Sequence, residues 1–228
     1  SQRGFSICTG PAPSSGEQDK REKDYEEIIE QAEYLWEEAG SASRIDWLLD
    51  FAELLVLAPS RDEEAQLRFL SSVAQAIQRY REHIEPIQID LFCSLCEQVD
   101  QPEIAERVLE LVDLDEEDES GDELCRALSG KTLGIYTLTE SAGRRVKTFL
   151  ESRYGGVNVK LRHDKKGSAE LHRVAENANY FLVVTRSATH AATDVIEQHV
   201  PTDRLIYPRG KGESSMVRDL TETLRQEK

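Results

Sequence analysis

Residues 180–184 read Tyr180-Phe181-Leu182-Val183-Val184, five aromatic or aliphatic residues in a row with no polar position on either face. A strand buried on both sides has this pattern, and such strands belong to parallel sheets covered by helices. Just upstream, 168–178 has helical spacing through Leu171, Val174 and Ala175. Before that, 157–161 alternates like a strand. The stretch 141–154 is helical through Val146, Phe149 and Leu150 and ends at Gly155-Gly156, and 132–137 is a short apolar run. Downstream come a helix over 189–199, a strand over 204–207 and a helix over 214–224. The order βαβαβαβα predicts a four-stranded parallel domain, Rossmann-like or flavodoxin-like, over 124–228.

The other half has a different period. Between Lys20 and Val112 apolar residues recur every three or four positions, beginning with Tyr25, Ile28, Ile29, Ala32 and Trp36. Breaks at Gly40-Ser41, Pro59-Ser60, Pro86 and Pro102 divide the stretch into five helices, a small all-helical bundle or a set of helical hairpins. The expected fold class is therefore α + α/β. Residues 1–19, rich in Pro, Ser and Gly, read as a flexible leader, 20–112 as the helical domain and 113–123 as an acidic linker. The chain begins at Ser1 and its only methionine is Met216, so it reads as trimmed of its initiator or excised from a longer protein.

Charge divides the chain at the same place. Residues 1–130 carry 11 Lys+Arg and 32 Asp+Glu, a net charge of −21, whereas 131–228 carry 17 and 12, a net charge of +5. The acidic half would repel phosphates. It reads either as a solvated helical surface or as a docking face for a basic protein partner, and any nucleic-acid contact is expected from 124–228 alone. No apolar run is long enough for a membrane span and no signal-peptide pattern is present, so a cytoplasmic location is expected.

In open parallel sheets ligands lie beyond the carboxyl ends of the strands. That edge gathers Thr137 and Thr139 after the first strand, His163, Asp164, Lys165 and Lys166 after the second, and Thr185, Arg186, Ser187, Thr189 and His190 after the third. The fourth loop reads Pro208-Arg209-Gly210-Lys211-Gly212-Glu213-Ser214-Ser215. Glycines that admit close approach, cations and a helix N-terminus together favour an anion. Thr137, Thr139, Thr185, Ser187, His190, Arg209, Lys211, Ser214 and Ser215 are the candidate ligand or phosphate contacts. The competing reading makes Ser214 or Ser215 a helix cap and the glycines a turn.

On the strand leading to Thr185, the Thr189-His190 pair and the Arg209-to-Ser215 turn, residues 131–228 resemble a small bacterial Rossmann-like domain family of unknown function. The resemblance brings no established reaction and implies a setting among multi-gene bacterial defence systems, including phage defence. Walker and GxGxxG loops are absent. A phosphoacceptor receiver would need acidic residues where Thr137 and Thr185 stand. A flavodoxin would need aromatic loops, and a TIR-type hydrolase an acidic residue for which Glu197 is the nearest choice. His190, beside Ser187 and Thr189, is the first catalytic candidate and His163 with Asp164 the second, with no catalytic residue assigned. Cys93 and Cys96 lack two further ligands at zinc spacing and read as reduced thiols, and Trp36 and Trp47 read as packing residues.

The sequence thus predicts a non-catalytic adaptor or regulatory protein. Its helical half docks a protein and its α/β half binds a nucleotide-like anion or a second protein. The alternatives are an enzyme acting on a nucleotide or phosphoester at the same loops, and a weak nucleic-acid-binding module. No cofactor and no metal is assigned.

Overall fold

The computed structural model describes residues 15–58, 62–111 and 119–226. Helices α1 (Ser15–Ala39), α2 (Ile45–Val56), α3 (Glu63–Arg79), α4 (Pro86–Gln98) and α5 (Pro102–Leu111) match the five expected from periodicity. Pro86 and Pro102 each open a helix, where the missing N–H costs nothing. Asp62 caps α3 by accepting from the Ala65 N–H at 2.9 Å. The break at Pro59-Ser60 and the leader up to residue 14 lie outside the described residues. The last five residues of the expected leader, 15–19, instead begin α1. Likewise α6 (Glu119–Leu128) takes up 119–123 of the expected acidic linker, whose residues 113–118 lie outside the described ones.

The alternating half folds as expected. Strands β1 (Thr132–Tyr136), β2 (Asn158–Arg162), β3 (Tyr180–Val183) and β4 (Leu205–Ile206) form one parallel sheet in the order β2-β1-β3-β4. Helices α7 (Glu140–Arg153), α8 (Ala169–Asn177), α9 (His190–His199) and α10 (Glu213–Gln226) cover it. One face packs Leu133, Ile135, Val159 and Leu182 against α7 and α10, and the other packs Tyr136, Phe181 and Val183 against α8 and α9. Gly134 lies flat under the Phe181 ring, where a Cβ would overlap ring carbons.

The two halves share apolar packing. Ile87 and Leu91 of α4 belong to the same buried cluster as Leu128, Leu220 and Leu224. Helix α2 joins the halves because it has three distinct faces. Ile45, Leu48, Leu49 and Ala52 enter the bundle core. Asp46, Asp50 and Glu53, at i, i+4 and i+7, line up on a second face. Trp47, Phe51 and Leu54 line up on a third, with Trp47 stacked on Phe51 at 5.3 Å between centroids. Trp47 is 41% exposed and Leu54 59%, so the packing expected of Trp47 is only partial. Trp36, by contrast, packs edge-on against Tyr80 in the bundle.

At the sheet's open margin the backbone of β2 is shielded by a neighbouring helix. The Val159 N–H donates to Glu151 at 3.1 Å and its carbonyl accepts from Lys147 Nζ at 3.1 Å, both from α7. Among the described residues no helix is long and apolar enough to cross a membrane.

Candidate functional site

The turn 209–213 delivers the chain into α10, and both glycines are required by what lies against them. A Cβ on Gly212 would stand 2.6 Å from Glu53 Oε2, and one on Gly210 2.6 Å from Ser215 Oγ. The Gly210 N–H donates to that Ser215 Oγ at 2.7 Å. Glu53, only 5% exposed, sets its carboxylate at the start of α10, accepting from the Glu213 N–H at 2.7 Å and the Ser214 N–H at 3.0 Å. The features that favour phosphate, free N–H groups, a helix dipole and glycines, here hold the carboxylate of another helix. Neither Ser214 nor Ser215 caps the helix through its hydroxyl; Glu53 does so instead.

Arg145 of α7 completes a buried network. It donates to Glu53 at 2.7 Å and to Glu213 at 3.2 Å, and Ser94 and Gln98 of α4 also donate to Glu213. Burial, followed by the adjacent Glu53 charge, raises Glu213 above the ordinary carboxylate range despite Gln98 and Arg145. Beside it, Arg218 of α10 bridges Asp50 at 3.0 Å and Asp46 at 3.5 Å. Burial likewise raises Asp50, with Arg218 acting against it.

Around this contact lies a cavity of about 510 Å³ lined by Asp50, Glu53, Leu54, Arg186, Arg209, Gly210, Lys211, Gly212 and Ser215. Three of the nine candidate contacts, Arg209, Lys211 and Ser215, meet there. They are joined by Arg186, counted in the sequence among the loop cations but not among the contacts. Arg209 is braced along α10, its Nε and Nη2 reaching Asp219 at 2.8 and 2.5 Å and Nη2 also reaching Glu222 at 2.7 Å. Arg186 and Lys211 are exposed and form no ion pair among the described residues.

Of the remaining candidates, Ser214 meets the cavity's Glu53 through its N–H, while Thr137, Thr139, Thr185 and His190 are not among the lining residues. Thr137 is buried and its Oγ1 accepts from the Thr139 N–H at 3.1 Å, which shapes the first loop. Thr185 is exposed on a 3-10 turn, and the Ser187 side chain lies outside the described residues. His190 is exposed at the first position of α9, and its side chain makes no hydrogen bond among the described residues. Its neighbour Thr189 is engaged with the Lys165 carbonyl at 3.2 Å and lies 3.2 Å from the Tyr136 hydroxyl.

Glu53, Asp50 and Arg145 escaped the sequence reading. The available signal was the acidic stripe at 46, 50 and 53 on an otherwise apolar helix. A helix drawn into a core on one side carries such a stripe when a cation or helix terminus faces it. Cys93 and Cys96 lie on α4, where burial pushes their thiols up to about 11 and about 12. No group of three His, Cys, Asp or Glu suited to a metal ion occurs among the described residues.

No curated protein and no solved structure matches the chain. One family model does, over residues 17–219, and it runs through both halves rather than the α/β half alone. The chain belongs to the DpdD-like family, whose name ties it to Dpd, a DNA-modification cluster associated with phage defence.

Proposed function

We propose that this protein is a non-catalytic adaptor or regulatory component of a bacterial defence system, and that it binds a nucleotide-like anion in the cavity between α2 and the loops after β3 and β4. The cavity carries the reading: Arg186 and Lys211 are two uncommitted cations at the carboxyl edge of a parallel sheet, beside the apolar Leu54. Phosphate would face the cations and an apolar ring would rest on Leu54.

What supports binding without turnover is the state of the cavity's carboxylates. Glu53 is held by Arg145 and two N–H groups, and Asp50 by Arg218, so both carboxylates spend their hydrogen bonds inside the protein. The acidic helical half supplies the protein-docking side of the reading. The outward Trp47 and Leu54, amid negative charge, suit a basic partner carrying an apolar anchor.

The test is a thermal-shift titration of the intact chain with nucleotides, dinucleotides and cyclic nucleotides, beside product analysis of the same mixtures. Concentration-dependent stabilisation that Arg186→Ala with Lys211→Ala abolishes, without product, is the expected result. Product formation that depends on His190 would replace this reading with an enzymatic one. No stabilisation by any member of the panel would remove the anion site.

A further inference from the structure

The open margin of the sheet carries a second, separate concentration of positive charge. A groove of about 780 Å³ runs along β2 between α7 and α8, and its cations are Lys147, Lys160, Arg162 and Arg173. Glu170 is the only carboxylate among its lining residues. Asn158, Lys160 and Arg162 share one face of the strand, since alternate residues do, and are therefore spaced about 6.6 Å apart along it.

We propose that this groove binds the sugar–phosphate backbone of a nucleic acid. Lysine, arginine, threonine and asparagine, the residue types that contact phosphates, make up most of its wall. A protein partner would be expected to find an aromatic anchor, and none lines the groove. Three of the four cations are available; the fourth, Arg162, is held by Asp164 at 2.7 Å. Arg173 is 71% exposed and Lys147 42%, so their pairs with Glu170 and Glu151 give way at small cost. Lys160 is exposed and forms no ion pair among the described residues. With Glu151 and Lys147 satisfying Val159, the edge presents charge rather than a ladder for another strand. Lys165 and Lys166, both exposed, extend the positive surface beyond the end of β2. The −21 of the opposite half confines a polyanion to this side.

Fluorescence anisotropy with the intact chain and labelled 20-mers, single- and double-stranded and of random sequence, tests the proposal between 50 and 200 mM salt. Neutralising three to four phosphates predicts a log K against log salt slope of about −3 on duplex, roughly a 60-fold loss across that range. Lys160→Glu with Arg173→Glu should weaken binding at least tenfold and flatten the slope to about −1. Lys160→Ala with Arg173→Ala serves if melting shows the charge-reversed chain unfolded. Arg81→Ala with Arg107→Ala, both exposed on the helical half, should bind like the parent, which ties the loss to the groove. Binding that ignores salt, or survives both groove variants, overturns the proposal. So does a salt-sensitive dimer in sedimentation that the groove variants dissolve while oligonucleotides fail to bind. That pattern would mean the edge meets the acidic half of a second copy.

Discussion

Replacing Glu53 by alanine tests whether the turn at Gly212 serves an internal carboxylate. The substitution removes an acceptor of three hydrogen bonds, from Arg145 and from the Glu213 and Ser214 N–H groups. It leaves Arg145 to a single buried carboxylate and α10 without a cap. Breaking a buried pair by removing one member costs about 3–5 kcal/mol. For a chain of this size that is a fall in melting temperature of roughly 6–20 °C. Loss of the like charge beside Glu213 offsets part of it, so the lower half of the range is expected. The sharper readout is the coupling with Gly212→Ala. In the parent a Cβ would meet Glu53 Oε2 at 2.6 Å, and the overlap should cost about 1–3 kcal/mol. In the Glu53→Ala background that oxygen is gone, so the same change should cost little. Urea unfolding of the four proteins supplies the cycle. Equal costs for Gly212→Ala in both backgrounds would refute the assignment of the turn to Glu53, as would a Glu53→Ala protein melting within about 2 °C of the parent.

Glu213 is raised above its ordinary 4.5, so its ionised form is costly in the fold and that cost disappears as pH falls toward 4.5. Stability measured from pH 7 down to 4.5 should therefore rise for the parent relative to Glu213→Gln; parallel curves would contradict it. With thiols near 11 and 12, Cys93 and Cys96 hold about a thousandth or less of their population as thiolate at pH 8. Mass spectrometry should find them alkylated by iodoacetamide far more slowly in the native chain than in urea, and equal rates would count against their burial. Gly134→Ala should destabilise by several kcal/mol because the new methyl meets the Phe181 ring, whereas Gly155→Ala, with open space around it, should change melting by no more than a degree or two.

The sheet was readable because its chemistry is local. Runs such as 180–184 carry their burial in the residues themselves, and Pro86 and Pro102 mark helix starts by what proline lacks. Helix α6 was hidden because its first residues continue an acidic stretch that by composition alone would not fold; Leu124 and Leu128 supply the apolar face that packs it against the α/β half. The site was half legible. Arg209, Lys211 and Ser215 could be placed by the glycine turn, but the group filling that turn lies 160 residues away in sequence. A buried glutamate looks like a surface glutamate until its partners are known. Spacing shows that Asp46, Asp50 and Glu53 share a face, yet not that α10 is what they face.

The apolar cluster that takes Ile87 and Leu91 from α4 has a practical meaning for how the chain comes apart. A fragment starting at residue 124 would keep all four strands but leave Leu128, Leu220 and Leu224 without those neighbours, and it would strip Glu53 from the head of α10. Division by sequence pattern and division by cooperativity are then different things. Heating the whole chain should give a single heat-absorption peak whose calorimetric and van't Hoff enthalpies agree, as expected when two segments melt together.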